Sequence, residues 1–233
     1  MLTPEGRVIM ISGANRGIGK AIARQLSKDG YQLSLGARNP DSIESFGTDT
    51  LVHSWEATSK TDSADWAEAT LAKFNRIDGL VLNAGVIYPA GLADGSEEDI
   101  DKMWAVNFKG PLSLVRAALP ALKQSGHGRV ANIVSLSGVR VMGANNMGYC
   151  ASKHASMALT HAIRHDGWQS GLRATAISPG LVDTDMVNNV ATPDGEYKIT
   201  PEAVASTVAY ALSLPADASV AEIRVNSRLE NMF

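Results

Sequence analysis

The sequence contains little cysteine and no long apolar segment. Cys150 is the one cysteine among 233 residues, so an internal disulfide is excluded. No apolar run approaches the roughly 20 residues that a membrane-spanning helix needs, and residues 1–6 are short and polar. We therefore expect a cytoplasmic protein.

An excess of charge of one sign is also lacking. The 21 Lys and Arg and the 24 Asp and Glu give a formal net charge of -3, and the basic residues are scattered along the chain. Such a chain offers no basic surface for nucleic acid or for an anionic membrane, so we expect neither partner and a small-molecule substrate instead. No linker, low-complexity tract or repeat interrupts residues 1–233, which predicts a single domain.

Short apolar runs rich in β-branched residues alternate with helix-periodic segments from end to end. The predicted strands cover residues 7–12, 31–36, 50–55, 79–82, 129–135, 173–178 and 220–225. The predicted helices cover residues 17–28, 63–74, 97–124, 148–168 and 201–214. This alternation predicts an α/β fold, a Rossmann-type doubly wound parallel sheet of about seven strands flanked by helices. In such a sheet, ligands bind at the carboxyl ends of the strands.

A glycine-rich turn follows the first predicted strand and opens the first predicted helix. Residues 12–19 read Ser-Gly-Ala-Asn-Arg-Gly-Ile-Gly. Glycines let the backbone turn sharply and approach a pyrophosphate, whose charge is stabilised by the free amides at the start of the helix. Three glycines can also form an ordinary turn, but their place between a strand and a helix favours a dinucleotide site.

The end of the second predicted strand indicates which dinucleotide is preferred. An NAD-selective site presents a carboxylate there to the ribose hydroxyls, whereas this chain has Arg38. Arg38 and Arg16, which lies in the glycine-rich turn, offer guanidinium groups that suit the 2′-phosphate of NADP. Both can also be solvated surface residues, but together they favour NADP. Glu56, after the third predicted strand, is a candidate for the adenine end, and a surface acid is the alternative.

Tyr149 and Lys153 lie four residues apart in a helix-periodic segment, so their side chains share one helix face. At ~4 Å and an effective dielectric constant of ~20, an ammonium stabilises a phenolate by about 4 kcal/mol. That energy would lower the pKa of a phenol from ~10 to near neutrality. The pair therefore predicts a proton donor whose pKa is lowered by Lys153. The alternative is an ordinary amphipathic helix, and the other motifs argue against it.

With these residues assembled, the chain resembles the classical short-chain dehydrogenase/reductase family over nearly its whole length. The matching residues are the glycines at 13, 17 and 19, the Leu82-Asn83-Ala84-Gly85 motif, Asn107, Ser135, Tyr149 with Lys153, and Pro179-Gly180 with Thr184. Leu82 and Glu56 replace the usual Asn and Asp, and the interval from Ser135 to Tyr149 is one residue longer than the commonest spacing. The frame of Asn132 and Gly138 favours Ser135 over Ser137 as the family's serine.

The resemblance implies hydride transfer between a nicotinamide and a carbonyl or alcohol carbon. Tyr149 is then the general acid, Ser135 holds the carbonyl oxygen, and Lys153 holds the nicotinamide ribose. Asn107 lies near a water that links Lys153 to solvent, held by backbone groups that Pro111 frees. The implied NADP(H) site, which is preferred over an NAD(H) site, comprises Gly13, Asn15, Arg16, Gly17, Ile18, Gly19, Arg38, Glu56, Ala57, Asn83, Ala84, Gly85, Tyr149, Lys153, Pro179, Gly180, Val182 and Thr184.

Residues 185–199 are polar and lack periodicity, which predicts a lid over the substrate. Sugars or polyols, fatty-acyl carbonyl compounds, and steroids or xenobiotics all remain open as substrates. A non-catalytic NADP-binding sensor or scaffold with the same fold is the alternative function. The retention of Asn107, Ser135, Tyr149 and Lys153 argues against it.

The predicted helix over residues 148–168 also bears on assembly and on metal binding. Ala151, Ala155, Ala158 and Ala162 form a stripe of small residues on the helix at 148–168, which lets another helix approach closely and predicts a homodimer or homotetramer. His161 and His165 have the spacing of metal ligands, but no third ligand accompanies them, so no metal site is predicted. Cys150 lacks a candidate base and is predicted to be a small buried residue.

Overall fold

The computed structural model describes residues 1–47, 49–141, 143–187 and 198–229. Its centre is a seven-stranded parallel sheet with the order β3-β2-β1-β4-β5-β6-β7. The strands are β1 Val8–Ser12, β2 Gln32–Ala37, β3 Thr50–Ser54, β4 Gly79–Leu82, β5 Arg129–Ile133, β6 Arg173–Pro179 and β7 Glu222–Val225. The predicted fold class is confirmed.

Six α-helices are present among the described residues: α1 Gly17–Lys28, α2 Asp62–Phe74, α3 Glu97–Trp104, α4 Gly110–Gln124, α5 Met147–Gly167 and α6 Pro201–Ser213. None of the helices in this part of the chain is long and apolar enough to cross a membrane. The cytoplasmic location stays a prediction.

The helices cover both faces of the sheet, and this explains why the strands are apolar without alternation. Ile9 and Ile11 of β1 pack into a core beneath α1 and α6, while Met10 between them packs into a second core beneath α2, α4 and α5. Each of these three side chains is fully buried. Successive strands are added to one side of β1 up to β3 and to its other side from β4 onward, so the crevice for a ligand opens at the carboxyl ends of β1 and β4.

The helix predicted over residues 97–124 contains a π-helical turn, Ala105–Lys109, between α3 and α4. Pro111 has no N–H to donate, and the N–H of Gly110 bonds to the carbonyl of Ala105, five residues earlier. This helical turn therefore contains one more residue than an α-helical turn, at a place where the sequence alone suggests a regular α-helix. This wide turn carries Asn107, which points its side chain into the core beside the site.

The predicted strand over residues 129–135 ends two residues early, at Ile133. Ser135 leaves the hydrogen-bond ladder because its Oγ accepts from the Ser137 N–H at 3.1 Å, and this bond opens a short 3₁₀ turn, Leu136–Gly138. Ser135 thus stands at the carboxyl edge of the sheet, beyond β5, where its hydroxyl is available to a ligand.

Candidate active site

One cleft of about 330 Å³ runs along the carboxyl edge of the sheet. It gathers most of the residues that the sequence assigns to the site: Gly13, Asn15, Arg16, Gly17, Ile18, Arg38, Glu56, Ala57, Asn83, Ala84, Gly85, Ser135, Tyr149, Lys153, Pro179, Gly180, Val182 and Thr184. Gly19 and Asn107 do not line the cleft and lie behind its wall. Chain segments from six strands, β1 to β6, and from α1 and α5 therefore meet at this edge.

The glycine-rich turn has the shape of an anion cradle. Gly13 and Gly17 have φ of 67° and 51°, which side-chain-bearing residues rarely adopt. A Cβ on Gly19 would lie 2.1 Å from the Gly13 carbonyl oxygen, so only glycine fits there. Arg16 is the N-cap residue of α1, and its side chain accepts no hydrogen bond from the first backbone N–H groups of the helix. These N–H groups can therefore donate to a bound anion. The residues present fit a dinucleotide pyrophosphate.

Asn83 fixes this turn to the end of β4. Its Nδ2 donates to the carbonyls of Ser12 and Gly13 at 3.0 and 3.1 Å. In return, the Ser12 Oγ accepts from the N–H groups of Asn83 and Ala84 at 3.0 and 3.2 Å. The side chain of Asn83 thus shapes the floor of the cleft from within the protein. The cleft wall there consists of Ala84 and Gly85.

The adenosine end of the cleft carries the charged side chains. The Arg38 Nε lies 3.9 Å from the Glu56 Oε2, and both side chains are partly exposed. The Arg16 Nη1 lies 3.8 Å from the Asp185 Oδ2, with both side chains more than half exposed. The sequence at the end of β2 has no acid, but Glu56 brings a carboxylate to Arg38 from the end of β3. This acid competes with a 2′-phosphate for the guanidinium group.

The side chains of Tyr149 and Ser135 line the same cleft, and Ser135 lies close enough to influence the pKa of the phenol. Burial of the phenol raises the pKa of Tyr149 to about 12, and Ser135 opposes that shift. The lowering that the sequence suggested is not found. The expected lowering of the Tyr149 pKa assumed an ammonium ~4 Å from the phenolate in a medium of dielectric constant ~20. In the structure, burial raises this pKa by more than any such attraction lowers it.

Lys153 is itself buried, with 5% of its surface exposed. Its Nζ donates to the Ile133 carbonyl at 2.9 Å and lies 5.8 Å from the centroid of the Tyr149 ring. Burial lowers the pKa of Lys153 to about 8. The pair therefore consists of a phenol that retains its proton and an ammonium that gives up its proton more readily than an exposed lysine does.

Asn107 acts as a clamp behind the cleft. Its Oδ1 accepts from the Val86 N–H at 2.8 Å, and its Nδ2 donates to the Val86 carbonyl at 2.9 Å and to the Ser152 Oγ at 3.0 Å. Ser152 in turn donates to the Tyr149 carbonyl at 2.8 Å. The π-helical turn is thereby joined to the loop after β4 and to the first turns of α5, which carry Tyr149 and Lys153.

The segment after β6 covers the glycine-rich turn. The Thr184 Cγ2 lies 3.2 Å from the position that a Cβ on Gly17 would take. Asp185–Val187 forms a 3₁₀ turn, and Val182 pairs with Ile199 where the chain is described again. Residues 188–197 of the predicted lid lie outside the described residues, and so does Met142, so the lid stays a prediction.

The sequence does not identify several residues that line the cleft: Ala37, Asn39, Trp55, Val106, Ile133 and Val134. Ala37, Asn39 and Val134 directly follow or end predicted strands, so their positions at the carboxyl edge were a usable signal. Val106 carried no such signal, because it reaches the cleft through the π-helical turn.

No group of three or more His, Cys, Asp or Glu that could hold a metal ion occurs within the described ranges. His161 lies on α5 with its Nε2 3.4 Å from the Glu222 Oε1 of β7. Cys150, next to Tyr149, is buried.

Comparison with known proteins identifies relatives along most of the chain. The short chain dehydrogenase family profile matches residues 7–195. The agropine synthesis reductase of Rhizobium rhizogenes is 40% identical over 97% of this chain, but this chain covers 53% of that protein, about half of its length. An uncharacterized oxidoreductase of Staphylococcus epidermidis is 34% identical, and the match covers 94% of this chain and 96% of that protein.

Solved structures share the fold. The alcohol dehydrogenase from the archaeon Thermococcus sibiricus, complexed with 5-hydroxy-NADP, superposes with a TM-score of 0.87 at 31% identity, covering 96% of this chain and 99% of that chain. A 3-ketoacyl-(acyl-carrier-protein) reductase from Brucella melitensis, complexed with NADH, gives a TM-score of 0.87 at 24% identity, which is a likeness of fold alone. The chain belongs to the short chain dehydrogenase family.

Proposed function

We propose that the protein is an NADP(H)-dependent oxidoreductase that interconverts a carbonyl group and a secondary alcohol in a small molecule. The observation that carries the proposal is that Tyr149 and Ser135 line the same cleft as the glycine cradle. A proton donor thus stands beside the place where a nicotinamide ring would lie. The cofactor, when bound, supplies or accepts the hydride.

The cofactor would be held along the whole cleft. The turn around Gly13 and Gly17 takes the pyrophosphate, and Arg16 and Arg38 take the 2′-phosphate. Lys153 takes the nicotinamide ribose, and Thr184 lies beyond it. The bound 5-hydroxy-NADP of the archaeal relative supports a nicotinamide cofactor here, and the preference for NADP rests on the two arginines.

Tyr149 acts as the proton donor in the reducing direction. The pKa of its phenol is raised to about 12, so the proton is held throughout neutral pH. As the carbonyl oxygen gains charge, Ser135 donates a hydrogen bond to it and Tyr149 delivers the proton. Reduction is therefore favoured over alcohol oxidation near neutral pH, because oxidation needs the phenolate as base.

A screen of NADPH oxidation against simple ketones, β-keto esters, sugars and quinones tests the proposed function. We expect at least one class to be reduced with one NADPH consumed per alcohol formed. If NADPH binds tightly and no carbonyl compound in the screen is reduced, the sensor function should replace the enzyme function.

Arg38→Asp should reverse the cofactor preference. Hydrogen bonds to charged groups contribute about 1.5 to 3 kcal/mol each, which corresponds to roughly tenfold to a hundredfold in affinity per arginine. Dissociation constants measured by nicotinamide fluorescence should favour NADPH over NADH in the unmodified protein and NADH over NADPH in the Arg38→Asp variant.

Glu56→Gln should strengthen NADPH binding, because it removes the negative charge that Arg38 faces.

Arg116→Asp is the matched control for Arg38→Asp. Arg116 is exposed on α4 and does not line the cleft, and its replacement changes the net charge by the same amount. Its variant should keep the original preference. Equal constants for NADPH and NADH in the unmodified protein would contradict the roles given to Arg16 and Arg38.

The protein should be a homodimer or homotetramer. Ala151, Ala158 and Ala162 are exposed on α5, whereas Leu159 and Ile163 of the same helix are buried. Small side chains there let the helix of a second copy approach closely. Light scattering at micromolar protein concentration should give a mass at least twice the 24.6 kDa of the chain. A monomer mass would contradict this prediction, and Ala158→Glu should lower the mass if α5 forms the contact.

A further inference from the structure

The cleft divides into a charged end and an apolar end. Arg16, Arg38, Glu56 and Asp185 lie at the adenosine and phosphate end, and the four form two facing pairs. The described lining also includes the apolar residues Val86, Val106, Val134, Met186 and Val187, of which Val134 directly precedes Ser135. The charged groups come from the glycine-rich turn, the ends of β2 and β3 and Asp185 after β6, whereas Val86, Val106 and Val134 come from the segment after β4, the π-helical turn and the end of β5.

Val86 is fixed close to the reacting groups. Its backbone N–H and carbonyl both bond to the Asn107 side chain, at 2.8 and 2.9 Å. A Cβ on the preceding Gly85 would lie 3.6 Å from the Lys153 Nζ. Val86 is half-buried and lines the cleft, and these backbone bonds fix its position there.

The polar side chains at this end already have partners within the protein. The amides of Asn83 and Asn107 bond to Ser12, Gly13, Val86 and Ser152. The Lys153 Nζ donates to the Ile133 carbonyl. Among the described lining residues, Ser135 and Tyr149 are left to meet a substrate oxygen. One carbonyl oxygen satisfies that pair, whereas further substrate hydroxyls would be desolvated without partners.

Two exposed apolar side chains, Leu92 and Val141, form what is here called the rim; they lie on the loops that follow Val86 and Val134 in the chain. The loops after β4 and after β5 are tied together by the Leu92 N–H to the Ala144 carbonyl at 3.1 Å and by the Gly148 N–H to the Ala90 carbonyl at 2.9 Å. Leu92 and Val141 on these loops expose 75% and 54% of their surface. Exposed apolar side chains grouped beside a cleft are typical of ligand-binding grooves.

We infer that the substrate is an uncharged ketone, or the corresponding secondary alcohol, with an alkyl or aryl substituent, and not a sugar, a polyol or a keto acid. The inference rests on the proposed hydride-transfer function. The carbonyl oxygen meets Ser135 and Tyr149, and the apolar substituent lies along Val86 and Val134 toward the rim.

A series of 2-alkanones tests the substrate class. With NADPH, kcat/KM should rise from 2-butanone through 2-hexanone to 2-octanone, by up to about fourfold for each methylene that becomes buried. Fructose and a short 2-oxo acid of the same carbon number as 2-hexanone should be reduced at least a hundredfold less efficiently. A higher kcat/KM for fructose or the oxo acid than for every alkanone would overturn the inferred class and leave hydride transfer standing.

Binding without turnover separates this inference from the proposed function. Calorimetric titration of 2-octanone into the protein with NADP⁺ measures affinity where no hydride is available. Val86→Thr should weaken 2-octanone binding by about threefold to tenfold, because it places a hydroxyl against the alkyl chain, and should leave NADP⁺ affinity unchanged. Val52→Thr, on β3 and outside the cleft, is the control and should change neither.

The binding result decides the inference even if no carbonyl compound is turned over. Absence of 2-octanone binding with NADP⁺ present, or equal binding of 2-octanone and fructose, would overturn it. If 2-octanone binds and is not reduced with NADPH, the apolar site stands and the proposed reaction fails.

Discussion

Tyr149→Phe should lower turnover by roughly a hundredfold to ten-thousandfold, the contribution that general acid catalysis typically makes. The substitution removes one oxygen and leaves the ring to pack as before. It also removes one of the two hydroxyls, of Tyr149 and Ser135, that are proposed to donate to the substrate carbonyl oxygen. Cofactor affinity, measured by nicotinamide fluorescence, should change little. Single-turnover oxidation of NADPH by the best ketone of the screen measures the chemical step.

Tyr210→Phe is the matched control for this experiment. Tyr210 lies on α6 with half of its surface exposed, outside the cleft, and loses the same oxygen. Its variant should turn over at the unmodified rate. A Tyr149→Phe variant with unmodified turnover would show that another group supplies the proton, and the assigned mechanism would be wrong.

Lys153→Met should damage both turnover and cofactor affinity, in contrast to Tyr149→Phe. The ammonium is assigned to the nicotinamide ribose, and its bond to the Ile133 carbonyl fixes it between β5 and α5. Loss of a hydrogen bond to a charged group should weaken NADPH binding by roughly tenfold to a hundredfold. Lys123→Met, which breaks an ion pair with Asp166 on the surface, should leave cofactor affinity and turnover unchanged.

The Lys153→Met variant should also be more stable than the unmodified protein near neutral pH. Burial lowers the pKa of Lys153 from 10.5 to about 8, which corresponds to roughly 3 kcal/mol of unfavourable free energy for the buried ammonium. Below pH about 8 both the folded and the unfolded chain hold this proton, so the unfavourable term is present in full. We expect Lys153→Met to raise the free energy of unfolding by about 1 to 3 kcal/mol at pH 7, the lower value allowing for the lost hydrogen bond.

The stability difference should shrink as pH rises. Between about 8 and 10.5 the unfolded chain still holds the Lys153 proton and the folded protein has lost it, so the stability contributed by this group increases with pH. Urea unfolding of both proteins at pH 7 and pH 10 measures this. A variant that is less stable at pH 7 would mean that the Ile133 hydrogen bond outweighs the burial of the charge.

The sequence predicts the fold because its signals are local and repeated. Seven apolar runs, each followed by a turn and most by a helix-periodic segment, leave a parallel sheet as the arrangement that buries both faces of every strand. The helix over residues 17–28 is predicted to the residue, since Gly17 begins it and Asp29 and Gly30 follow its end. The π-helical turn at residues 105–109 was missed, because Pro111 shows where a helix is interrupted and not how the backbone adjusts.

The sequence predicts which residues form the candidate site better than it predicts their pKa values and their charge pairs. Strand ends and glycines place the residues at one edge, and the family resemblance adds Ser135 and Asn107. The pKa of Tyr149 depends on how deeply the ring is buried, and no spacing in the sequence reports that depth. The approach of Glu56 to Arg38 likewise depends on the pairing of β2 with β3.

Deuterium transfer is the most direct test of hydride transfer by this protein. The best ketone of the screen is incubated with NADPH deuterated at the transferable position of nicotinamide C4, and the alcohol is analysed by mass spectrometry. We expect one deuterium on the carbinol carbon for each NADPH oxidised, and none from deuterated solvent at that carbon. Alcohol formed without the label, or tight binding of the labelled cofactor with no alcohol formed from any ketone, would contradict the function proposed for the Tyr149 site.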